Sequence, residues 1–139
     1  MIVDSSALIA ILAGEPDAEE LNDVLSCAVR PALSVANYLE AAIVLDRHPA
    51  RRAGEKLDRY LVTGQVELAD VTESQARIAR SAYRNFGWGT GHPAGLNFGD
   101  CFAYALCKAT GQPLLFKGQD FSLTDIATVP RIRGEDEHT

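Results

Sequence analysis

At 139 residues, 47% of them hydrophobic and 23% charged, the chain has the make-up of one globular domain with a single core, since a domain of about this size buries roughly 68–70% of the surface its unfolded chain exposes. No apolar run approaches the ~20 residues of a bilayer span, and Met1-Ile2-Val3-Asp4 lacks the basic region that opens a secretory signal, so the expectation is a cytoplasmic protein with no membrane partner. A formal net charge of −6 argues against holding nucleic acid on a broad basic surface: either phosphates are met through metal, or the partner is not nucleic acid.

Short apolar runs alternate with amphipathic segments, the pattern of an α/β domain with a parallel sheet. Ile2-Val3-Asp4 reads as a first strand, and Ser5 or Ser6 caps a helix that runs through Ile11 and ends near Gly14. Pro16 to Leu25 reads as a second helix and Pro31-Ala32-Leu33 as a short strand. Ser34 caps a helix from Val35 to about Arg47, stopped before Pro49. Ala50 to Leu61 makes a charged amphipathic helix, and Val66-Glu67-Leu68-Ala69 a third strand. Thr72 with Gln75 is a capping-box signature for a helix to Phe86, which Gly87 closes. Gly87 to Gly95 is a glycine-rich loop, and loops of this length in small domains are often functional. Asn97 caps a helix to Thr110, Gly111 stops it, and Pro113 to Phe116 is the last strand. Residues 1 to 133 are expected to be one domain, and Gly134 to Thr139, with Glu135-Asp136-Glu137, a disordered acidic tail.

Within this frame, Asp4, Glu40, Asp100 and Asp120 stand in or beside apolar segments where a fold has little use for charge. Ligands of an open parallel sheet bind outside the carboxyl ends of its strands. Asp4 and Asp120 lie there, and Glu40, two turns into its helix, and Asp100, in the first turn of its own, can project toward the same edge. Each has a plainer role available. Asp4 can neighbour the first helix dipole, Glu40 can pair with Arg47, Asp100 can stabilise a helix N-terminus by about 0.3–1 kcal/mol, and Asp120 can be a turn residue. Jointly these explain less than one crevice holding all four. Two like charges 4 Å apart repel by about 4 kcal/mol at an effective dielectric near 20, so such a crevice calls for a cation or a bound proton.

All-oxygen ligation favours Mg²⁺ or Mn²⁺ over Zn²⁺, and no histidine pair has ligand spacing: His48 and His138 look peripheral, while His92 is a loop residue able to touch substrate. Glu15, Asp17, Glu19, Glu20 and Asp23 read as solvated charge, and Asp125 as ambiguous. Cys27, Cys101 and Cys107, odd in number and without C-x-x-C spacing, read as small buried hydrophobes.

Four segments carry a family resemblance: Met1-Ile2-Val3-Asp4-Ser5-Ser6-Ala7-Leu8, Leu33-Ser34-Val35-Ala36-Asn37-Tyr38-Leu39-Glu40, Leu96-Asn97-Phe98-Gly99-Asp100-Cys101, and Leu115-Phe116-Lys117-Gly118-Gln119-Asp120-Phe121 with Thr124-Asp125-Ile126. In order and spacing they resemble the successive motifs of PIN-domain ribonucleases, specifically the VapC toxins of bacterial type II toxin-antitoxin pairs. The resemblance implies a three-layer α/β/α sandwich around a central parallel sheet and an endoribonuclease dependent on Mg²⁺, with Mn²⁺ as substitute. It implies an RNA substrate and a cognate protein antitoxin as partners; a homodimer is a further possibility, the sequence leaving the oligomeric state open. By position Asp4, Glu40, Asp100 and Asp120 are the acidic quartet, Asp4 and Asp100 the first choice as metal ligands, and Ser6 a support of the cluster. Trp88, His92 and Lys117 are the residues expected to meet substrate. The loop from Gly87 to Gly95 offers Trp88, Thr90 and His92 where relatives often carry basic residues, which shifts the expectation toward base stacking on Trp88.

The chemistry this implies is hydrolysis of a phosphodiester by metal-activated water, with Glu40 or Asp120 as general base and products bearing 5′-phosphate and 3′-hydroxyl ends. Two rivals share much of the pattern. A receiver-like phosphoacceptor module has an acid after its first strand, another at Asp70 and a lysine at Lys117, but it expects an acid pair where Asp4 is followed by Ser5 and gives Glu40 no role. A catalytically inactive PIN-like binding protein has no reason to retain all four acids.

Overall fold

The computed structural model describes residues 1–50 and 52–131. The chain runs β1 (Ile2–Val3), α1 (Ser5–Leu12), α2 (Ala18–Ser26), β2 (Ala32–Ser34), α3 (Val35–Arg47), α4 (Ala53–Thr63), β3 (Glu67–Ala69), α5 (Glu73–Phe86), α6 (Phe98–Thr110) and β4 (Leu114–Leu115), followed by a 3-10 turn at Asp120–Leu123. All strand pairings are parallel, in the order β3-β2-β1-β4. The first strand is therefore internal to the sheet; the chain builds outward from it to β3, then crosses back to add β4 on the other side of β1. That reversal sets the carboxyl ends of β1 and β4 side by side, with the Asp4 amide donating to the Leu115 carbonyl at 2.9 Å. Crevices at such a switch point are where open α/β sheets bind ligands.

Strand periodicity divides the core into the two layers that a parallel sheet needs on its faces. Val3, Leu33 and Leu115 face a cluster with Leu8, Leu21, Leu45 and Leu57, drawn from α1 to α4. Their neighbours Ile2 and Leu114 face the opposite cluster, with Leu96, Tyr104, Leu106 and Phe116, under α5 and α6. The result is the α/β/α sandwich expected. Among the described residues no helix is long and apolar enough to cross a membrane.

The differences from the sequence reading are local. α1 is capped by Asp4 itself, whose carboxylate accepts from the Ser6 amide at 3.0 Å, and not by Ser5 or Ser6. α4 starts at Ala53 because Arg52, at φ 62°, is in the left-handed region and breaks the helix there. The loop after α5 is pinned at its base, with Trp88 N donating to Leu96 O and Leu96 N to Phe86 O. Gly87 is required there by close approach: a β-carbon would lie 2.3 Å from the Tyr83 carbonyl oxygen. Cys101 and Cys107 are buried, but Cys27, just past the buried Leu21 and Leu25 of α2, is exposed. The expected acidic tail from Gly134, with the end of the domain at residue 133, lies outside the described residues.

Glu15, Asp17 and Glu20 are not solvated charge. Lys117 Nζ donates to Glu15 at 2.7 Å and lies 3.4 Å from Asp17, and Arg131 Nη2 reaches Asp17 and Glu20, each at 3.1 Å. Arg131 also donates to the Phe116 carbonyl. These pairs fasten the chain beyond β4 onto the start of α2. Asp125 is likewise paired, accepting from the Tyr104 hydroxyl and from Lys108 Nζ.

Candidate active site

The fold delivers the four acids by four routes. Asp4 ends β1 and opens α1, Glu40 lies in the second turn of α3, Asp100 is the third residue of α6, and Asp120 opens the 3-10 turn beyond β4. They meet in one open cleft of about 640 Å³, shared with Ser5, Ser6, Asn97 and Lys117. The plainer roles turn out to coexist with this placement. Asp100 does cap its helix, one oxygen accepting from the Asn97 amide at 3.0 Å while Asn97 Oδ1 accepts from the Asp100 amide at 2.8 Å. Asp4 caps α1 with Oδ2 alone. A capping carboxylate uses one oxygen and keeps the other.

Glu40 is held by neutral partners and, among the described residues, by no arginine. Its Oε1 accepts from the Ser5 hydroxyl and, at 3.3 Å, from Asn37 Nδ2. The same Asn37 nitrogen donates to the Gly99 carbonyl at 2.9 Å, tying α3 to the first turn of α6. Asn37 is fully buried, and its Oδ1 has no partner among the described residues, an orientation dictated by the two acceptors its amide nitrogen serves. On the far side, a β-carbon on Gly99 would lie 2.0 Å from Glu40 Oε2. Glycine at 99 is thus the space into which Glu40 packs. Sequence reading gave Ser5 at most a capping role and passed over Asn37 and Gly99. The available signals were a polar residue three positions before Glu40 on the same helix face, and a glycine inside a helix, where it costs about 1 kcal/mol relative to alanine.

The electrostatics couple the acids to one another. Burial pushes the Asp4 carboxyl from 3.8 up to about 7, opposed by the Ser6 hydroxyl and amide and reinforced by the charges of Asp100 and Glu40. Burial also pushes Asp100 up to about 6, opposed by the Asn97 amide and reinforced by Glu40 and Asp120. Ser6 thus supports Asp4, while its hydroxyl also accepts from the Lys117 amide at 3.0 Å and joins α1 to the chain after β4.

A hard divalent cation fits these donors. Asp4 is 2% exposed, and its Oδ1 is buried with no hydrogen-bond partner among the described residues. An orphaned carboxylate oxygen costs several kcal/mol unless a proton or cation meets it. Every donor in the cleft is oxygen, as Mg²⁺ and Mn²⁺ prefer. Among the described residues no three His, Cys, Asp or Glu side chains already stand at the spacing of a finished metal cage. Mg²⁺ does not need one, since it keeps several waters and uses one or two carboxylates.

Of the residues expected to meet substrate, Lys117 lines the cleft but spends its ammonium on Glu15 and Asp17. Trp88 and His92 are not part of the cleft wall. His92 accepts from the Ala94 amide through Nδ1 and sets its ring edge-on to Phe86 at 4.9 Å, bracing the loop. Trp88 is 74% exposed.

The PIN domain family model matches residues 1–127 of the chain. Ribonuclease VapC30 of Mycobacterium tuberculosis is 49% identical over 129 residues, covering 93% of this chain and 98% of the relative. Ribonuclease VapC of Mycolicibacterium smegmatis is 50% identical over 129 residues, covering 93% and 99%. Among solved structures, Mycobacterium tuberculosis VapC20, described as a sarcin-ricin loop cleaving toxin, superposes with a TM-score of 0.74 at 20% identity, over 92% of this chain and 97% of that one. A chain of a toxin-antitoxin complex from Klebsiella pneumoniae gives 0.65 at 15% identity, over 87% and 89%. Those two likenesses concern the fold.

Proposed function

The chain belongs to the PIN domain family, and within it to the VapC ribonucleases, and from that membership we propose that it is the endoribonuclease toxin of a type II toxin-antitoxin pair, dependent on Mg²⁺ or Mn²⁺ and silenced by a cognate antitoxin. The observation that carries the reading is the meeting of Asp4, Glu40, Asp100 and Asp120 in one cleft, with one buried Asp4 oxygen left unpartnered and no cation of the described chain spent on the acids. A receiver-like module lacks support: Asp70 is exposed at the end of edge strand β3, and Lys117 is paired with Glu15.

Asp4 and Asp100 are the residues that would hold the cation. Bound there, it supplies charge neutralisation at the scissile phosphate and a lowered pKa for water. Glu40, fixed by Ser5, Asn37 and Gly99, holds its carboxyl group in the same cleft as Asp4 and Asp100. Asp120 is exposed at the mouth of the cleft. Of the four it is the carboxylate with freedom to take a proton from an attacking water, leaving products with 5′-phosphate and 3′-hydroxyl ends. The test is to incubate purified, antitoxin-free protein with total RNA in Mg²⁺ or in EDTA and map the new 5′ ends. Cleavage that survives in EDTA or in a well-folded Asp100→Asn protein would overturn the assignment.

A further inference from the structure

A second hollow adjoins the acid cleft. Asn97 lines the cleft, and Phe98, the next residue, lines a groove of about 550 Å³ between α5 and α6. The groove wall is almost wholly apolar apart from Arg80, with Tyr83 and Phe102 its other large side chains. Phe98 is 77% exposed and Tyr83 40% exposed, while Trp88, at 74%, stands two residues past the end of α5. The aromatic set is held in place. The Tyr83 hydroxyl donates to the Trp88 carbonyl at 3.0 Å, and Phe98 meets Phe102 edge-on at 4.9 Å.

The same face carries unspent positive charge, which is scarce in a chain of net charge −6. Arg77, Arg80 and Arg84 recur at steps of three and four along α5 and so share a face. Arg77 is paired with Glu73, whereas Arg80 and Arg84 are exposed and have no acidic partner among the described residues. Cations beside exposed aromatic rings are the two components of a single-strand binding surface: the cations track phosphates, and the rings stack bases. A purely apolar partner surface has no use for two uncompensated guanidinium groups.

We propose that the face formed by the second half of α5 and the first turns of α6 docks single-stranded RNA, with bases stacked on Phe98 and Tyr83 and phosphates on Arg80 and Arg84, and leads the strand past Asn97 into the acid cleft. The choice of RNA rests on the nuclease reading of that cleft. The docking face also answers the problem posed by the net charge, because it supplies local attraction beside a pocket whose carboxylates repel phosphate.

Binding is measured in EDTA, where no cleavage is required, by fluorescence anisotropy of a labelled oligouridine of about 12 nucleotides. Phe98→Ala should weaken binding about tenfold, and Phe98→Trp should preserve or strengthen it. Arg80→Ala with Arg84→Ala should lower the slope of log affinity against log salt by about 0.7 for each phosphate no longer neutralised. Sedimentation velocity on the same proteins separates the rival occupant. If Phe98→Ala converts a dimer into a monomer, the face belongs to a second copy of the chain and the proposal falls. It also falls if wild-type protein cleaves RNA in Mg²⁺ while Phe98→Ala and the double arginine variant bind as tightly as wild type, an outcome that leaves the nuclease reading intact. If wild-type protein neither binds nor cleaves RNA, both readings fall together.

Discussion

Two clusters of carboxylates flank α1, and they have opposite fates. Glu15, Asp17 and Glu20 are met by Lys117 and Arg131. Among the described residues, Asp4, Glu40 and Asp100 are met by hydroxyls and amides and by no cation, and Asp120 stands exposed beside them in the same cleft. The consequence shows in their protonation. Although burial works to raise it, Arg131 and Lys117 hold the Asp17 carboxyl below its ordinary value, while Asp4 and Asp100 are pushed up to about 7 and about 6. The first cluster is paired with cations of its own chain and is structural. Among the described residues no cation is paired with the second, and that deficit distinguishes a site from a clamp.

The largest effect should separate the clusters by activity. Asp4→Asn or Asp100→Asn is expected to lower RNA cleavage on the order of a thousandfold while leaving the fold intact, because charge is removed at nearly constant volume. Asp17→Asn should do the reverse, lowering the melting temperature and retaining cleavage. Initial rates and thermal scans on the three variants decide it, and equal losses of activity would erase the distinction.

A second difference concerns pH in the metal-free protein. A carboxyl whose folded pKa is raised contributes most stability below its ordinary 3.8 and loses that contribution as pH rises through its folded value, because the folded state then holds the extra proton. For Asp4 and Asp100 the loss runs from about pH 4 to about pH 7. Asp17, lowered, contributes above 3.8 and loses its share as pH falls below that. Urea unfolding in EDTA should therefore show stability falling by roughly 2–4 kcal/mol between pH 4.5 and 7.5. Asp4→Asn should flatten that fall, and Mn²⁺ should restore stability near neutral pH by about 2.7 kcal/mol at 100 times its dissociation constant. A pH profile unchanged by Asp4→Asn would remove the claim that this cluster is short of charge.

How much of this was legible in the sequence follows the range of the interactions. Alternation of apolar runs, the caps at Ser34, Thr72 and Asn97, and the placement of Asp4 and Asp120 at strand ends are local patterns, and they could be read directly. The clamp could not: Lys117 lies 102 residues from Glu15 and Arg131 lies 114 from Asp17, so three acids near α2 looked solvated. Glu40 was legible as a misplaced charge, but its latch was not, since Asn37 reaches across 62 residues to the Gly99 carbonyl. Cys27 departs from the buried-hydrophobe expectation because residue type alone does not show that it lies just past the end of α2, where it is exposed.

The latch offers a third test, of intermediate size. Gly99→Ala sets a methyl group against Glu40 Oε2 and should cost about 1–3 kcal/mol of stability and roughly ten- to a hundredfold in activity. With Glu40→Ala in the background the obstruction is gone, and the same substitution should become neutral or stabilising by up to about 1 kcal/mol, as alanine is the better helix former. Asn37→Ala should likewise reduce the turnover rate in the wild-type background and add little once Glu40 is removed. Additive losses in both pairs would show that Asn37 and Gly99 act on packing alone and leave Glu40 outside the latch.

The smallest effect lies where the two clusters touch. Lys117 lines the acid cleft yet pairs with Glu15 and Asp17, its side chain 36% exposed. If its work is the clamp, Lys117→Met keeps the aliphatic stem and loses a solvent-screened ion pair worth about 0.2–1 kcal/mol. The melting temperature then falls by a few degrees or less, and KM for RNA stays within about twofold. If instead the ammonium leaves Glu15 to meet substrate phosphate, KM rises with little change in stability, and the slope of log affinity against log salt falls by about 0.7. Asp17→Asn provides the decisive partner variant. It weakens the hold on Lys117, so a clamp lysine shows coupled losses of stability in the double variant, whereas a substrate lysine released from Asp17 binds RNA more tightly. The first outcome keeps the clusters separate in function, and the second makes the clamp a reserve of positive charge for the site beside it.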